Sequence, residues 1–565
     1  MNKWTRLLSA LLLVCLLFTS CAPVGQSVDS SENTADSQKA ENLEKLCKVW
    51  GYTKYTHPAF LLGKKDWDEE LLKLIPVVSE AKAKEVNDIL HEWFVSLGEV
   101  DYGTSRKKTL PPEDKLIVQA DTSWIHEDYL RAKLTEDLSE LGPIPNIDRS
   151  KAPVQFIGSA FVAMPNFGNE RDYDQMNYSV PAERLLGLFR VWNVMEYYCP
   201  YLDILDESWE AQIQPFIAKM LEGNDQHSYE MTISALGAKL QDAHVRLFTK
   251  DLIKRPLFDE WGIYTIPTEL MYVENQVVVY NPDTEKLQAG DIILELDGVT
   301  VEELIANRLE YISVTEENKL MFAVFPLLLR SHQPEMELKI LRDGKEQTIL
   351  IEGKKDVDQL YLWHIPTEVS HELLEGNIGL INPQKLEEGE IPQIMEKFRN
   401  TDGLIIDLRQ YPGYSFYHEI SSYLGDSEKI FVQVAFPSQS IPGTFVTDSM
   451  KRMAESWEYR GEIVVLTNEM SLSNAEYTVM SLQNAENVTV MGEETIGADG
   501  NVARLPLPGN IELLFTSLGV HTPEMGQTQR VGLPPDIEVH PTIEGIKEGR
   551  DELLEAAVAY IREQK

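Results

Sequence analysis

Four aromatic or proline residues recur at one fixed offset, and this repeat constrains the fold more than any other feature. Trp50 pairs with Trp192, Tyr55 with Tyr197, Pro58 with Pro200 and Trp67 with Trp209, each 142 residues apart. The surrounding text repeats too: Leu46-Cys47-Lys48-Val49-Trp50 resembles Leu188-Phe189-Arg190-Val191-Trp192. Each copy reads as a helix, a turn with proline, then further helices. The first copy ends Leu97-Gly98-Glu99-Val100-Asp101 and the second Leu240-Gln241-Asp242-Ala243-His244. After a one-residue shift, the second copy carries a histidine where the first has Asp101. The Trp50 and Trp192 stripes read as helix core, not as a ligand cage.

Downstream of the repeat the pattern changes. Residues 105–182 form a connector rich in Pro and Asn, with helix near 127–141. From about 258 the chain shows short β runs: Asn275 to Tyr280, the Gly-turn segment LQAGDIILELDG over 287–298, a short helix over 302–309, and a hairpin around Asp343-Gly344. From 375 to the end strands alternate with helices, as in an α/β core with buried, largely parallel strands. The expected strands are 377–381, 403–408, 462–468 and 488–492, with a helix from Ser473 to Ala485. The fold class is therefore a multidomain α+β chain whose C-terminal domain is α/β.

The N-terminus reads as an export signal. Lys3 and Arg6 precede an apolar run, Leu7 to Phe18, too short to span a bilayer. Thr19-Ser20-Cys21 follows, resembling a bacterial lipobox with Cys21 as the lipidated residue; the rival reading is an ordinary secretory signal with an incidental cysteine. Residues 22–41, rich in Ser, Ala, Asp, Glu and Gln, are expected to form a disordered tether. The expected location is extracytoplasmic, anchored to a bacterial membrane. Without Cys15 and Cys21, the remaining cysteines are Cys47 and Cys199, for which a disulfide is possible and a buried thiol is the default. A formal net charge of −40 disfavours nucleic acid as a partner. No Cys/His spacing suggests a metal, and no cofactor is expected.

Four stretches of the C-terminal half carry the chemistry. Gly403-Leu404-Ile405-Ile406-Asp407-Leu408-Arg409 is a strand running into a turn at Gly413. Asn468-Glu469-Met470-Ser471-Leu472-Ser473-Asn474-Ala475-Glu476 places a hydroxyl at a strand–loop–helix junction. There the helix N-terminus could stabilise an oxyanion. Taken alone, Ser473-x-x-Glu476 favours the reading as a capping box. Gly492-Glu493-Glu494-Thr495-Ile496-Gly497 and Gly532-Leu533-Pro534-Pro535-Asp536 complete the set. Asp407 with Arg409 reads as a pair shaping a strand end; Asp499 could orient a base or shape the Gly497-to-Gly500 turn, and the turn is favoured.

In this order the stretches resemble the C-terminal processing (tail-specific) peptidase family of serine peptidases, which includes the catalytic core of the tricorn protease. The resemblance covers 183–565. It implies a crotonase-like ββα catalytic domain and a PDZ-like module over the GDIILELDG run. It also implies Ser473 as nucleophile, and the backbone N–H groups of Gly413 and Asn474 as oxyanion hole. The lysine that one branch of the family uses falls at Ala498. The tricorn-like branch uses an N-terminal histidine instead, and Leu240 to His244 looks like its segment, which implies His244 as general base. His364, His371, His418, His521 and His540 are its rivals. The branch's orienting glutamate falls at Gln529, whose amide could hold the ring without charge.

The organisation implied is a signal peptide over 1–21, a tether over 22–41, and the first repeat copy with its connector over 42–182. The second copy, over 183–255, carries His244; a PDZ-like domain over 256–356 and a catalytic domain over 357–565 follow. The expected substrate is a peptide or protein, cleaved through a Ser473 acyl-enzyme. Two rivals stay open: a catalytically silent peptide-binding scaffold, which Ala498 and Gln529 motivate, and an esterase built from the same machinery. Oligomeric state is not legible.

Overall fold

Trp50 and Trp192 make the same hydrogen bond. Each indole N–H donates to the backbone carbonyl 17 residues on, Trp50 to Trp67 at 2.9 Å and Trp192 to Trp209 at 3.2 Å. In the computed structural model the described residues are 30–104, 110–158, 163–249, 257–316, 319–355, 369–425, 429–452 and 457–564. The signal segment and Cys21 lie outside them, as do His364 and the domain boundaries placed at 256 and 357. No helix among the described residues is long and apolar enough to cross a membrane.

The two copies pack on each other through equivalent residues. Helices Ser30–Thr56 and Pro181–Tyr198 cross at Gly51, where a Cβ would lie 1.6 Å from Asn193 Oδ1. These two positions are themselves 142 apart, as are Tyr55 and Tyr197, whose rings meet edge-on at 5.5 Å. Asn193 Nδ2 donates to Cys47 O at 3.1 Å and Phe189 O at 2.9 Å, so its buried amide is held across the crossing. Cys47 and Cys199 are both buried free thiols. Gly51→Ala is expected to destabilise the chain by about 1–3 kcal/mol, because the crossing has no room for a methyl group. Urea unfolding reads this directly; an unchanged midpoint would contradict the close crossing.

One sequence expectation fails here. The stretch expected to be a tether is helical from Ser30. Ala40 and Leu43 are buried, and Asn42 Nδ2 donates to Val78 O at 3.2 Å and Ala81 O at 2.8 Å. Tertiary contacts thus order a segment whose composition alone favours disorder.

The connector is not independent of the C-terminal half. Its strand Leu116–Val118 pairs antiparallel with Thr444–Lys451, and Ile144 N donates to Ser440 O at 2.8 Å. The middle region is an antiparallel sheet in the order Lys345–Glu352, Glu335–Arg342, Ile292–Leu296, Gln276–Pro282 and Thr268–Val273. Its hairpin turns at Asp343 (φ 50°) and Gly344 (φ 72°), the left-handed pair that a two-residue turn requires.

The C-terminal sheet runs His371–Leu374, Ile378–Ile381, Gly403–Asp407, Glu462–Thr467, Val488–Gly492 and Ile537–Glu538. Its first pairing is antiparallel and the others are parallel. Gly403–Asp407 is buried at every position, because both faces are covered. Leu404, Ile406, Ile463 and Val465 pack toward the Asn474–Leu482 helix on one face. Ile405, Val464 and Leu466 pack toward Leu553, Ala557 and Ile561 of the C-terminal helix on the other. Each such side chain contributes about 1.5–3 kcal/mol of burial. The sheet therefore stands as a rigid platform, and the loops at the C-terminal ends of its parallel strands are where a site is expected.

Candidate active site

Ser473 stands in a strained turn. Strand Glu462–Thr467 ends in a loop folded on itself: Asn468 N donates to Ser471 Oγ at 3.1 Å, and Ser471 Oγ donates to Leu408 O at 2.8 Å. The chain then enters helix Asn474–Leu482 through Ser473, at φ 53° and ψ −112°. A non-glycine residue there is under strain of about 1–3 kcal/mol. Ordinary capping residues of this chain are extended instead: Thr300, at φ −67° and ψ 155°, accepts from Glu303 N. The backbone of Ser473 is therefore not that of a simple cap. It has the sharp strand-to-helix elbow that presents a nucleophile.

Glu476 holds the elbow. It is fully buried, and its carboxylate accepts from Thr495 Oγ1 at 2.5 Å, Gly497 N at 2.8 Å, Ala498 N at 3.0 Å and Ser473 N at 3.1 Å. Ser473 N is shared with Ala498 O at 2.9 Å. Thr495 Oγ1 in turn accepts from Leu533 N at 2.8 Å, and Gly497 O accepts from Arg530 N at 2.7 Å. The Thr-x-Gly and Gly-Leu-Pro-Pro-Asp stretches are thus fastened to the serine helix by one carboxylate. Glu476→Ala takes the acceptor from three buried donors, Thr495 Oγ1, Gly497 N and Ala498 N, and is expected to cost about 3–5 kcal/mol of stability. A urea midpoint equal to that of the unmutated chain would contradict this role.

His244 reaches the same place from the second repeat copy. Strand Arg246–Thr249 pairs antiparallel with Ile511–Thr516, register Arg246 to Leu514, which brings Thr516 beside the histidine. Ala243 packs in one buried cluster with Leu472, Ile496 and Ala498. The small side chain at 498 leaves space that the 243–244 segment fills. His244 and Ser473 line one cleft of about 670 Å³. Among the described residues His244 is the histidine that lines it. His418 instead lies on the Tyr417 ring at 4.0 Å, and His540 pairs with Glu493 and Glu538.

The hydrogen bonds fix the histidine's tautomer. Thr516 Oγ1 donates its single proton to Asp242 Oδ2 at 2.5 Å. Its oxygen, 3.0 Å from His244 Nδ1, can then only accept, so Nδ1 carries the ring proton and Nε2 a lone pair. Asp242 Oδ1 lies 3.4 Å from Nδ1 and accepts from His244 N at 2.9 Å. Burial pushes the Asp242 carboxyl up, but the bonds from His244 and Thr516 outweigh it, leaving it below the usual carboxylate range. Ser313 Oγ anchors the turn by accepting from Asp242 N at 2.9 Å.

Two of the expected site residues make other contacts in this structure. Gln529 does not orient the ring: its Oε1 accepts from Asp499 N at 3.2 Å, while His244 Nδ1 faces Thr516 and Asp242. An aspartate two residues before the histidine, in the same turn, occupies that position. Gly413 does not offer a free N–H in this structure: it donates to Pro383 O at 3.0 Å, and Gln384 O and Leu386 O crowd its α-carbon. Asn474 fits its role better. It is the first residue of its helix, where amides lack helical carbonyl partners, and its side chain steadies the turn by donating to Tyr414 O at 2.9 Å. Arg409 bonds Asp407 at 2.6 Å and Asp551 at 2.8 Å, as a structural pair should. Sequence reading missed Asp242 and Thr516. The Asp-x-His spacing could have disclosed the first; nothing local marks the second.

The chain's similarities fall on this region. Residues 377–539 match the model of Peptidase family S41. A carboxy-terminal-processing protease of Bartonella bacilliformis is 26% identical over 195 residues, covering 32% of this chain and 43% of that one. The chain thus matches less than half the length of that relative. The crystal structure of mature CPAF superposes with a TM-score of 0.52 at 15% identity, covering 68% of this chain and 98% of that one, a likeness of fold. The segment similar to peptidase family S41, 377–539, holds the Ser473 elbow, the Gly413 turn and the Thr495–Gly497 turn.

Proposed function

We propose that the chain is a serine endopeptidase acting outside the cytoplasm, tethered to the membrane through lipid on Cys21. The observation that carries the reading is the strained Ser473 elbow in one cleft with a His244 whose Nε2 is left as the basic nitrogen. The protease relative from Bartonella supports peptide bonds as the substrate class. The N-terminal Lys3, Arg6 and apolar run supports export.

The chemistry follows from the contacts. His244 Nε2 takes the hydroxyl proton as Ser473 Oγ bonds to the substrate carbonyl carbon. Thr516 and the ionised Asp242 hold the ring and balance the imidazolium charge. Asn474 N–H and the helix dipole face the developing oxyanion. His244 then gives its proton to the leaving amine as the C–N bond breaks. Water repeats the sequence on the ester. Ala498 makes this a Ser/His site rather than a Ser/Lys one. The catalytic domain is read as crotonase-like, and the antiparallel middle module as PDZ-like, taking an extended peptide by strand addition.

The test is cleavage of a peptide library by the full chain, with new termini read by mass spectrometry. New termini that vanish in Ser473→Ala support the reading. A library left intact, or cut equally by the variant, contradicts it.

A further inference from the structure

Asp499 is an unusual buried carboxyl. Among the described residues three deeply buried acids face a cation or several donors: Asp68 meets Arg190 at 2.8 Å, Glu170 meets Lys54 at 2.5 Å, and Glu476 accepts four bonds. Asp499 is 3% exposed, and its Oδ1 accepts from Gly500 N at 2.7 Å. Its Oδ2 has no hydrogen-bond partner among the described residues. A buried oxygen left so is costly unless something arrives to meet it.

Its position gives that oxygen a use. Asp499 lines the cleft that holds Ser473 and His244. Apolar Val434, Met450, Leu518 and Val520 line the same cleft, together with Arg246 and with Arg409, whose charge is met by Asp407 and Asp551. Tyr417 and Tyr477, edge-on at 4.7 Å, stand near enough that the Asp499 charge acts on both phenols. A carboxyl within a partly apolar recess beside a nucleophile selects a basic side chain, whose stem packs on the wall while its head meets the acid. Burial and the Glu476 charge push the Asp499 carboxyl well above the carboxylate range, which an incoming cation would reverse. The chain's net charge of −40 draws cationic peptides in the same direction.

We propose that Asp499 is the specificity residue of the cleft, and that the residue it accepts on the amino side of the scissile bond is lysine or arginine. This rests on the Ser473 reading above for the cleavage step, but not for the binding. The test therefore has two arms. In the full-chain Ser473→Ala variant, calorimetry compares benzamidine with its neutral isostere benzamide. Benzamidine is expected to bind at least tenfold tighter, and Asp499→Asn in the same background to remove that difference. Equal affinities, binding of neither, or a difference that survives Asp499→Asn would overturn the assignment. The isostere comparison needs no change at 499, so a misfolded variant does not blunt it.

In the active chain, kcat/KM is measured for peptides differing only in lysine or norleucine before the cleaved bond. The lysine-to-norleucine ratio is expected to exceed ten and to fall at least tenfold in Asp499→Asn. A ratio below one, or one unmoved by the substitution, overturns the proposal. Asp499-dependent benzamidine binding with no cleavage of either peptide would sink the peptidase reading alone.

Discussion

A Ser473→Ala chain is expected to hydrolyse peptides about 10^6-fold more slowly than the unmutated one, with the substrate's KM little changed. The alanine removes the atom that forms the acyl bond, and among the described residues no other serine or threonine has a positive φ. Ser471, two residues earlier, is fully buried and donates to Leu408 O, so it cannot replace it. The backbone turn should survive, because its supports are the Ser473 N–H bonds to Glu476 and Ala498, which alanine retains. The urea midpoint is therefore expected to hold while turnover disappears. Adding His244→Ala to this variant should cost almost nothing more, since the two residues act as one unit. Steady-state kinetics on a peptide found in the library would read all three chains. Residual turnover within tenfold of the unmutated chain would point to a different nucleophile.

The second large effect is expected at a residue that touches no substrate. Asp242→Asn should lower kcat about 10^3- to 10^4-fold. The mechanism is the proton arrangement. Thr516 accepts from His244 Nδ1 only because its own proton is committed to the Asp242 carboxylate. An amide at 242 can turn its NH2 toward Thr516, which frees the threonine proton to point at Nδ1. The ring then protonates on Nε2 and loses its base toward Ser473. The amide also removes the charge that offsets the imidazolium. Thr516→Val should reproduce part of the loss, about tenfold to a hundredfold, because the direct Asp242 contact at 3.4 Å remains. Proton NMR of the His244 ring would separate this from unfolding: Nδ1–H in the unmutated chain, Nε2–H in Asp242→Asn. The same tautomer in both chains, with kcat unchanged, would contradict the relay.

These two predictions divide along what the sequence could disclose. The Ser473 proposal rests on the ordered combination of four stretches, three of which are tied together by the hydrogen bonds of Glu476, Thr495, Gly497 and Leu533. His244 was proposed from the resemblance and because the first repeat copy lacks a histidine there; no local pattern links it to Ser473, more than two hundred residues away. The helical repeat was legible because its tryptophan–carbonyl bonds span the same 17 residues in each copy. Asp242 was not singled out because the resemblance points to a distant position, Gln529, while Asp242 lies two residues from the histidine in the same turn. Thr516 sits 272 residues from His244 and is delivered by strand register, which no local pattern carries. The contact of Gly413 was not legible for another reason. Which way its N–H points is a matter of one peptide plane, and here that plane faces Pro383. The helix starting at Ser30 depends on partners near Val78 and Ala81, beyond the reach of composition.

The central claim is that Ser473 is an activated nucleophile rather than a helix cap. The most direct measurement is to treat the full chain with a fluorophosphonate and locate the adduct by mass spectrometry. A single phosphonylated residue at Ser473, formed in the unmutated chain and at least a thousandfold more slowly in His244→Ala, is the expected result. No adduct, or one on another serine, would contradict it.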